Sequence, residues 1–296
     1  MRASEATGRA ARPLPLFYSV SQAGKAIEAC CQDLQESTSH GLRLSTINPA
    51  ILETEIEVQR RRPATSAPRG RFESVSRCLQ SQVPSRNPTL GVLIASLPEL
   101  APFLPSQSQH QQPLLVYIDA PLLAFARVVN DVVRICVALD FEPQGLDQAL
   151  RHLFEHYPDV AGRIENTQEA RLSANEVSFL LNIEEPGNRE RSPDHISFLI
   201  PNVSQNMHYG YWLRPSVVDV QGERVPTPLM TWWLILYGLS MLARYYPTEW
   251  IAALDPDSSE VAVLLDQCMS EAMRRVPMLM LDAIAAAERS FADVDK

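Results

Sequence analysis

Pro228-Leu-Met-Thr-Trp-Trp-Leu-Ile-Leu-Tyr-Gly-Leu-Ser-Met-Leu-Ala-Arg244 is the most apolar stretch of the chain, and its reading decides the fold. Leu229 to Ala243 carries no charge, opens after a proline and closes on an arginine. As a helix its 15 residues rise only about 22 Å, short of the roughly 20 residues a bilayer requires. A helix apolar all round that cannot span lipid belongs at the centre of a protein core. The expectation is a helical core built around this segment.

Working outward, Leu14 to Cys31 repeats apolar residues at three- and four-residue steps, Phe17, Val20, Gly24, Ile27 and Cys31, and reads as one amphipathic helix with Pro15 in its first turn. Two further helices are expected after the core segment, Glu260 to Val276 and Met278 to Phe291. Leu90-Gly-Val-Leu-Ile-Ala-Ser-Leu-Pro-Glu-Leu100 returns without a gap as Leu150-Arg-His-Leu-Phe-Glu-His-Tyr-Pro-Asp-Val160, a duplicated unit in which positions i, i+3, i+4 and i+7 face a core and proline turns the chain out. Pro113 to Ile118 reads as a strand, Pro121 to Asp140 as a helix with Leu123, Phe125, Val128, Val132, Ile135 and Leu139 inward, and Ile47 to Val58 fits either strand or helix. Val177 to Ile183, His195 to Ile200, Tyr209 to Leu213 and Val217 to Val220 are short β-branched and aromatic runs, with turn sequences at Glu185-Pro-Gly-Asn188 and Gln221-Gly-Glu223. The fold expected is a helix-dominated α+β domain: a helical core with a small antiparallel sheet from residues 175–220. Residues 1–12 read as a flexible tail, residues 13–296 as one domain, and residues 59–71 as an exposed basic loop.

The chain has 296 residues, 46% hydrophobic, with 26 Lys+Arg against 35 Asp+Glu and a net charge of -9. That excludes wholesale disorder and a general polyanion binder, although nucleic acid as a specific partner stays open. Twenty-three prolines against 11 glycines, with no glycine-rich fingerprint, exclude the common nucleotide-binding loops. No cofactor is called for. Cys30, Cys31, Cys78, Cys136 and Cys268 fit neither a disulfide framework nor a metal knuckle and read as reduced thiols, mostly buried. The N-terminus lacks the apolar segment of a secretory signal, so a cytoplasmic protein without membrane attachment is expected.

Five constellations are candidates to carry chemistry. Arg151-His-Leu-Phe-Glu-His156 satisfies the R-x4-H pattern of HEPN-type, metal-independent ribonucleases, with His156 or His152 as general acid or base and Arg151 steadying a phosphate. Gly91 and Ser96 stand at the equivalent places of Arg151 and His156 in the first copy, which argues that the scaffold needs neither basic group. Arg244 and Tyr245, with Tyr246, Pro247 and Trp250, read as a helix end locked into the core by aromatic rings, or as an anion hook. His208, Trp212 and Arg214 on a probable ribbon could stack a base and hold a phosphate, and Trp212, Arg214 and Arg244 together make a third reading, a small nucleotide pocket. Arg60, Arg61, Arg62, Arg69 and Arg71 read as a solvated basic loop, and His40-Gly41-Leu42 as the turn ending the first helix; His40 has no metal-ligating neighbour at ligand spacing, so no metal is expected.

Pro15-Leu-Phe-Tyr-Ser-Val-Ser-Gln-Ala-Gly-Lys-Ala26, His40-Gly-Leu42, Gly70-Arg-Phe72, the Leu90 unit and above all Leu239-Ser-Met-Leu-Ala-Arg-Tyr-Tyr-Pro-Thr-Glu-Trp250, with the Arg275-Val-Pro-Met-Leu-Met-Leu281 helix behind it, resemble the YaaC-like family of bacterial proteins. The resemblance runs from Pro15 to about Ala286. It implies a bacterial cytoplasmic protein and supplies no catalytic residues. Core-forming motifs without catalytic signatures point to a non-enzymatic component that binds another protein, in the setting of a stress or phage-defence assembly, with a homo-oligomer left open; a HEPN-like endoribonuclease and a small nucleotide-binding protein are the rivals.

Overall fold

A computed structural model describes residues 7–31, 39–48, 50–59, 70–118, 132–161, 167–182, 200–201, 210–218, 220 and 223–292. They form two compact units, residues 1–110 with 226–296, and residues 111–225.

The first unit is built on four longer helices: α1 (Pro13–Cys30), α2 (Arg71–Cys78), the central α6 (Pro228–Tyr245) and the terminal α8 (Ala262–Ala292), joined by the short α3 (Leu90–Ala95) and α7 (Pro247–Ala253). The expected stripe of α1 is buried at Phe17, Val20, Gly24 and Ile27. Almost all of α6 is buried, Trp232 and Trp233 completely, as its uniform apolarity requires. Gly24 lets the two helices meet: a Cβ there would sit 2.2 Å from the Trp233 ring. A ribbon of β1 (Leu42–Thr46) and β2 (Glu55–Val58) covers one side of this core, so the undecided segment Ile47 to Val58 is a strand only over its last four residues, with Ile56 and Val58 inward, after a 3-10 turn at Ile51–Glu53. The two closing helices are one: α8 runs through Pro277, whose missing N–H and ring crowding against the preceding turn do not stop a helix held by packing on both sides of it. Arg9–Ala11, read in the sequence as part of a tail, is a 3-10 turn whose Ala10 carbonyl accepts from Trp250 Nε1 at 2.7 Å.

The second unit is a six-stranded antiparallel sheet with α4 (Leu146–His156) and the short α5 (Pro158–Ala161) against it. Its strands β3 (Leu114–Ile118), β4 (Val132–Ala138), β5 (Arg171–Ser173), β6 (Glu176–Asn182), β7 (Ile200–Pro201) and β8 (Gly210–Leu213) are ordered β5-β6-β4-β3-β8-β7. The sheet expected from 175–220 is therefore there, and it is extended by strands from Leu114 onward. The helix expected to end at Asp140 is corrected over Val132–Ala138, which is β4 between β3 and β6. Ile135 and Val137 are buried while Arg134, Cys136 and Ala138 are not, and this two-residue alternation, with β-branched residues at its inward positions, outweighs the helical spacing read there. Residues 121–131 of that expected helix lie outside the described residues, as do Ile183 at the end of the strand expected from Val177 and 195–199 of the strand expected over His195 to Ile200. Of the strand expected over Val217 to Val220, the described residues Val217, Val218 and Val220 are not strand, and Val217 and Val218 are buried in a bend after β8.

The duplicated unit is real as a packing device, and its copies serve different cores. Leu90, Leu93, Ile94, Leu97 and Leu100 are fully buried in the first unit. Leu150, Leu153, Tyr157 and Val160 are buried in the second. Glu99, at the end of the first copy, accepts from Trp232 Nε1 at 3.0 Å, which ties that copy to α6.

Candidate functional site

Helix α4 begins after Gly145 with Asp147 in its first turn and buries Ala149, Leu150 and Leu153 against the sheet. That choice of face leaves Arg151 exposed and His152 and His156 half-buried along the flank. His152 is edge-on to Phe141 at 4.7 Å between ring centroids and to His156 at 4.8 Å, with Tyr157 at 5.8 Å. Its Nε2 is buried without a hydrogen-bond partner among the described residues. Arg151 and His152 share a groove of about 340 Å³ with Phe141, Gln148 and Glu155, and Arg151 also borders a second one of about 530 Å³ over the helix start. His156 lines neither of these two grooves and meets the pair through the His152 ring. In the first copy the place of Arg151 is Gly91, where a Cβ would meet His110 Nε2 at 2.4 Å, and the place of His156 is Ser96, whose hydroxyl bonds the Leu93 carbonyl at 2.8 Å. The two copies thus differ where one is pressed by neighbours and the other faces solvent.

Burial, and then the neighbouring His156, hold the His152 imidazole below its ordinary pKa, while Asp140 and Glu155 pull the other way. The folded protein therefore favours neutral His152. Between the ordinary histidine value near 6.5 and the lowered folded value, the unfolded chain binds more protons, so stability falls as pH drops through that window. The expected result is faster amide exchange in α4 at pH 5.5 than at 7.5, after correction for intrinsic rates, with the difference reduced in His152→Gln; an unchanged difference would show that His152 is not its source.

A second cluster lies on the first unit. Arg244, in the last turn of α6, donates from Nη1 to the Tyr18 hydroxyl at 3.4 Å and stands 5.4 Å over the Tyr245 ring. Tyr18 is 48% exposed and Tyr245 59%, so the reading that Tyr245 locks the turn into the core is corrected. Trp250 does that, 1% exposed and bonded to Ala10, with Tyr246 half-buried, because Pro247 both ends α6 and opens α7 and so swings Trp250 inward. Tyr18 was not singled out by sequence reading; its signal is that it falls beside, not on, the Phe17, Val20, Gly24, Ile27 stripe.

Trp212 and Arg214 belong to the second unit and Arg244 to the first. Trp212 is half-buried on β8, paired with Leu115 and Ile200, while Tyr211 and Leu213 pack on the core and Arg214 is buried, 4% exposed, and engaged. His208 lies outside the described residues, as do Arg60, Arg61, Arg62 and Arg69. Arg71, expected on the exposed basic loop, is instead buried and donates from Nε to Glu28 Oε2 at 3.0 Å. His40-Gly41 does not end α1, which stops at Cys30, but leads into β1. There Gly41 has φ +72 and lies so close to Gly70 that a Cβ on Gly70 would be 2.2 Å from the Gly41 Cα. The backbone nitrogens of Arg71 and Phe72 donate to the carbonyls of Ser39 and His40. Phe17 stacks edge-on against His40 and Tyr237, and the Tyr237 hydroxyl donates to the Leu42 carbonyl at 2.7 Å. Segments scattered through the sequence thus meet around one close glycine contact.

These are the segments on which the family resemblance rests, and the family model for YaaC-like protein matches residues 1–284. The chain belongs to the YaaC-like family. No curated protein and no solved structure matches it. In this YaaC-like chain the opening helix, His40-Gly-Leu42, Gly70-Arg-Phe72 and the Arg244 end of α6 all fall within the first unit. Burial and the nearby Arg71 and Lys25 lower the His40 pKa, so that histidine too is favoured neutral in the fold. Among the described residues only Cys268 is a fully buried cysteine; the other four are half-buried, which corrects the expectation for the thiols. No group of three or more metal-ligating side chains gathers among the described residues, and no helix there is long and apolar enough to cross a membrane.

Proposed function

We propose that this protein is a non-enzymatic component that binds a partner protein, using the corner made by Tyr18, Arg244 and Tyr245 as its anchor. The observation that carries the reading is the exposure of two tyrosines joined through one arginine, the residue types that dominate binding energy at protein interfaces. All seven exposed large apolar side chains among the described residues, Tyr18, Phe103, Tyr245, Ile251, Val263, Met278 and Leu281, also lie on the first unit. Such a corner suits a partner that offers a carboxylate next to an apolar side chain. The ribonuclease reading has less support, because His156 lines neither of the two described grooves that Arg151 borders.

The test is a photo-reactive phenylalanine analogue placed at position 18 in living cells. One discrete adduct with another protein is expected, weakened at least fivefold by Arg244→Ala with Tyr245→Ala. Absence of any adduct, or cleavage of mixed RNA by the purified protein that disappears in His156→Ala, would overturn the reading.

A further inference from the structure

The outer face of α8 carries a pattern that the packing of the first unit does not use. Toward the interior this helix buries Val276, Ala283 and Ala287. Arg274, Met278, Leu281, Ala285 and Glu288 are exposed and recur at steps of four, three, four and three, the spacing of a seam between two helices. Met278 is 60% exposed and Leu281 62%. At one end of this apolar stripe Arg274 is largely free in solvent, its side chain 70% exposed and paired with Glu271 on its own helix; at the other Glu288 lies beside the Cys30 thiol. Arg274 and Glu288 are each seven residues from Leu281, about 10.5 Å along the axis in opposite directions.

That arrangement is complementary to itself under reversal. When a second identical helix is laid antiparallel with the two Leu281 side chains facing, Arg274 of each chain meets Glu288 of the other, and Met278 of each lies beside Ala285 of the other. A parallel pairing puts arginine on arginine and glutamate on glutamate. We infer that the occupant of this face is a second copy of the chain, paired antiparallel along α8 through a two-fold axis at Leu281. The apolar side chains on the stripe are few, so the contact is smaller than the 1,200–2,000 Å² of a stable interface, and the dimer is weak and concentration-dependent. The inference does not rest on the partner reading above: a monomer would leave the Tyr18 corner untouched.

Sedimentation equilibrium of the full chain across about 1–200 µM at low salt tests it. The wild type is expected to pass from monomer to dimer in that range. Leu281→Asp, at a position already in solvent, should be monomeric throughout with an unchanged melting curve. Arg274→Glu and Glu288→Arg should each raise the half-dissociation concentration at least tenfold, and an equimolar mixture of the two variants should restore dimers, as should the double variant. A wild type that stays monomeric at 200 µM, a dimer indifferent to Leu281→Asp, or single charge reversals without effect would overturn the proposal.

Discussion

Arg71→Ala is expected to lower the stability of the first unit by about 3–5 kcal/mol, the range for removing one partner of a buried ion pair. The Glu28 and Arg71 side chains are only 5% and 6% exposed, so deleting the guanidinium leaves a carboxylate in the interior with nothing to balance it. Glu28 Oε1 already lacks a partner, which leaves it no alternative donor at hand. Replacing both residues, Glu28→Leu with Arg71→Met, removes the charges together and should cost far less than either single change. Urea unfolding followed by tryptophan fluorescence reads this directly, because Trp232, Trp233 and Trp250 all lie in the first unit. A loss below about 1 kcal/mol in Arg71→Ala would mean that the pair is hydrated and contributes little to the fold.

Gly70→Ala should cost about 3 kcal/mol, the upper end of the range for overpacking. The backbone of Gly70 is extended, at φ -178, and any residue can adopt it; the obstacle is space. The new methyl would lie 2.2 Å from the Cα of Gly41 and 2.4 Å from its nitrogen, both backbone atoms that no rotamer change can move aside. Separating the two strands of chain also pulls the Arg71 and Phe72 nitrogens from the Ser39 and His40 carbonyls and lifts Phe72 off Trp233. Gly145→Ala is the control, since nothing lies within 4 Å of its Cβ position. Equal stability losses for the two variants would refute the close-contact account.

Where sequence and structure agree, the reason is periodicity carried by enough residues. Helix α1 declares itself through four buried positions one turn apart, and α6 through the absence of any polar face at all. The repeat at Leu90 and Leu150 is legible because each copy buries the same apolar positions. Sequence reading fails at Val132–Ala138, whose apolar residues satisfy both a helical and an alternating pattern; pairing with β3 and β6 chooses between them. It fails at Pro277 because a proline that would end an isolated helix is carried by the contacts on either side. Tyr18 escapes notice and the exposure of Tyr245 is misread for a related reason, since exposure depends on which neighbours arrive and not on the residue.

The order of apolar residues along the chain was sufficient to set the helical core and the β-rich segment that precedes its central helix, because both depend on local spacing that burial then rewards, while short motifs, above all Leu239 to Trp250, carried the membership in a family. Only the tertiary structure could decide that Arg71 is buried against Glu28 instead of waving in a loop, that Gly41 and Gly70 touch, and that Tyr18 meets Arg244. Those facts join residues 43, 29 and 226 positions apart, and no local pattern encodes a contact across such distances; it exists once the helices have packed and excluded water from one side of each.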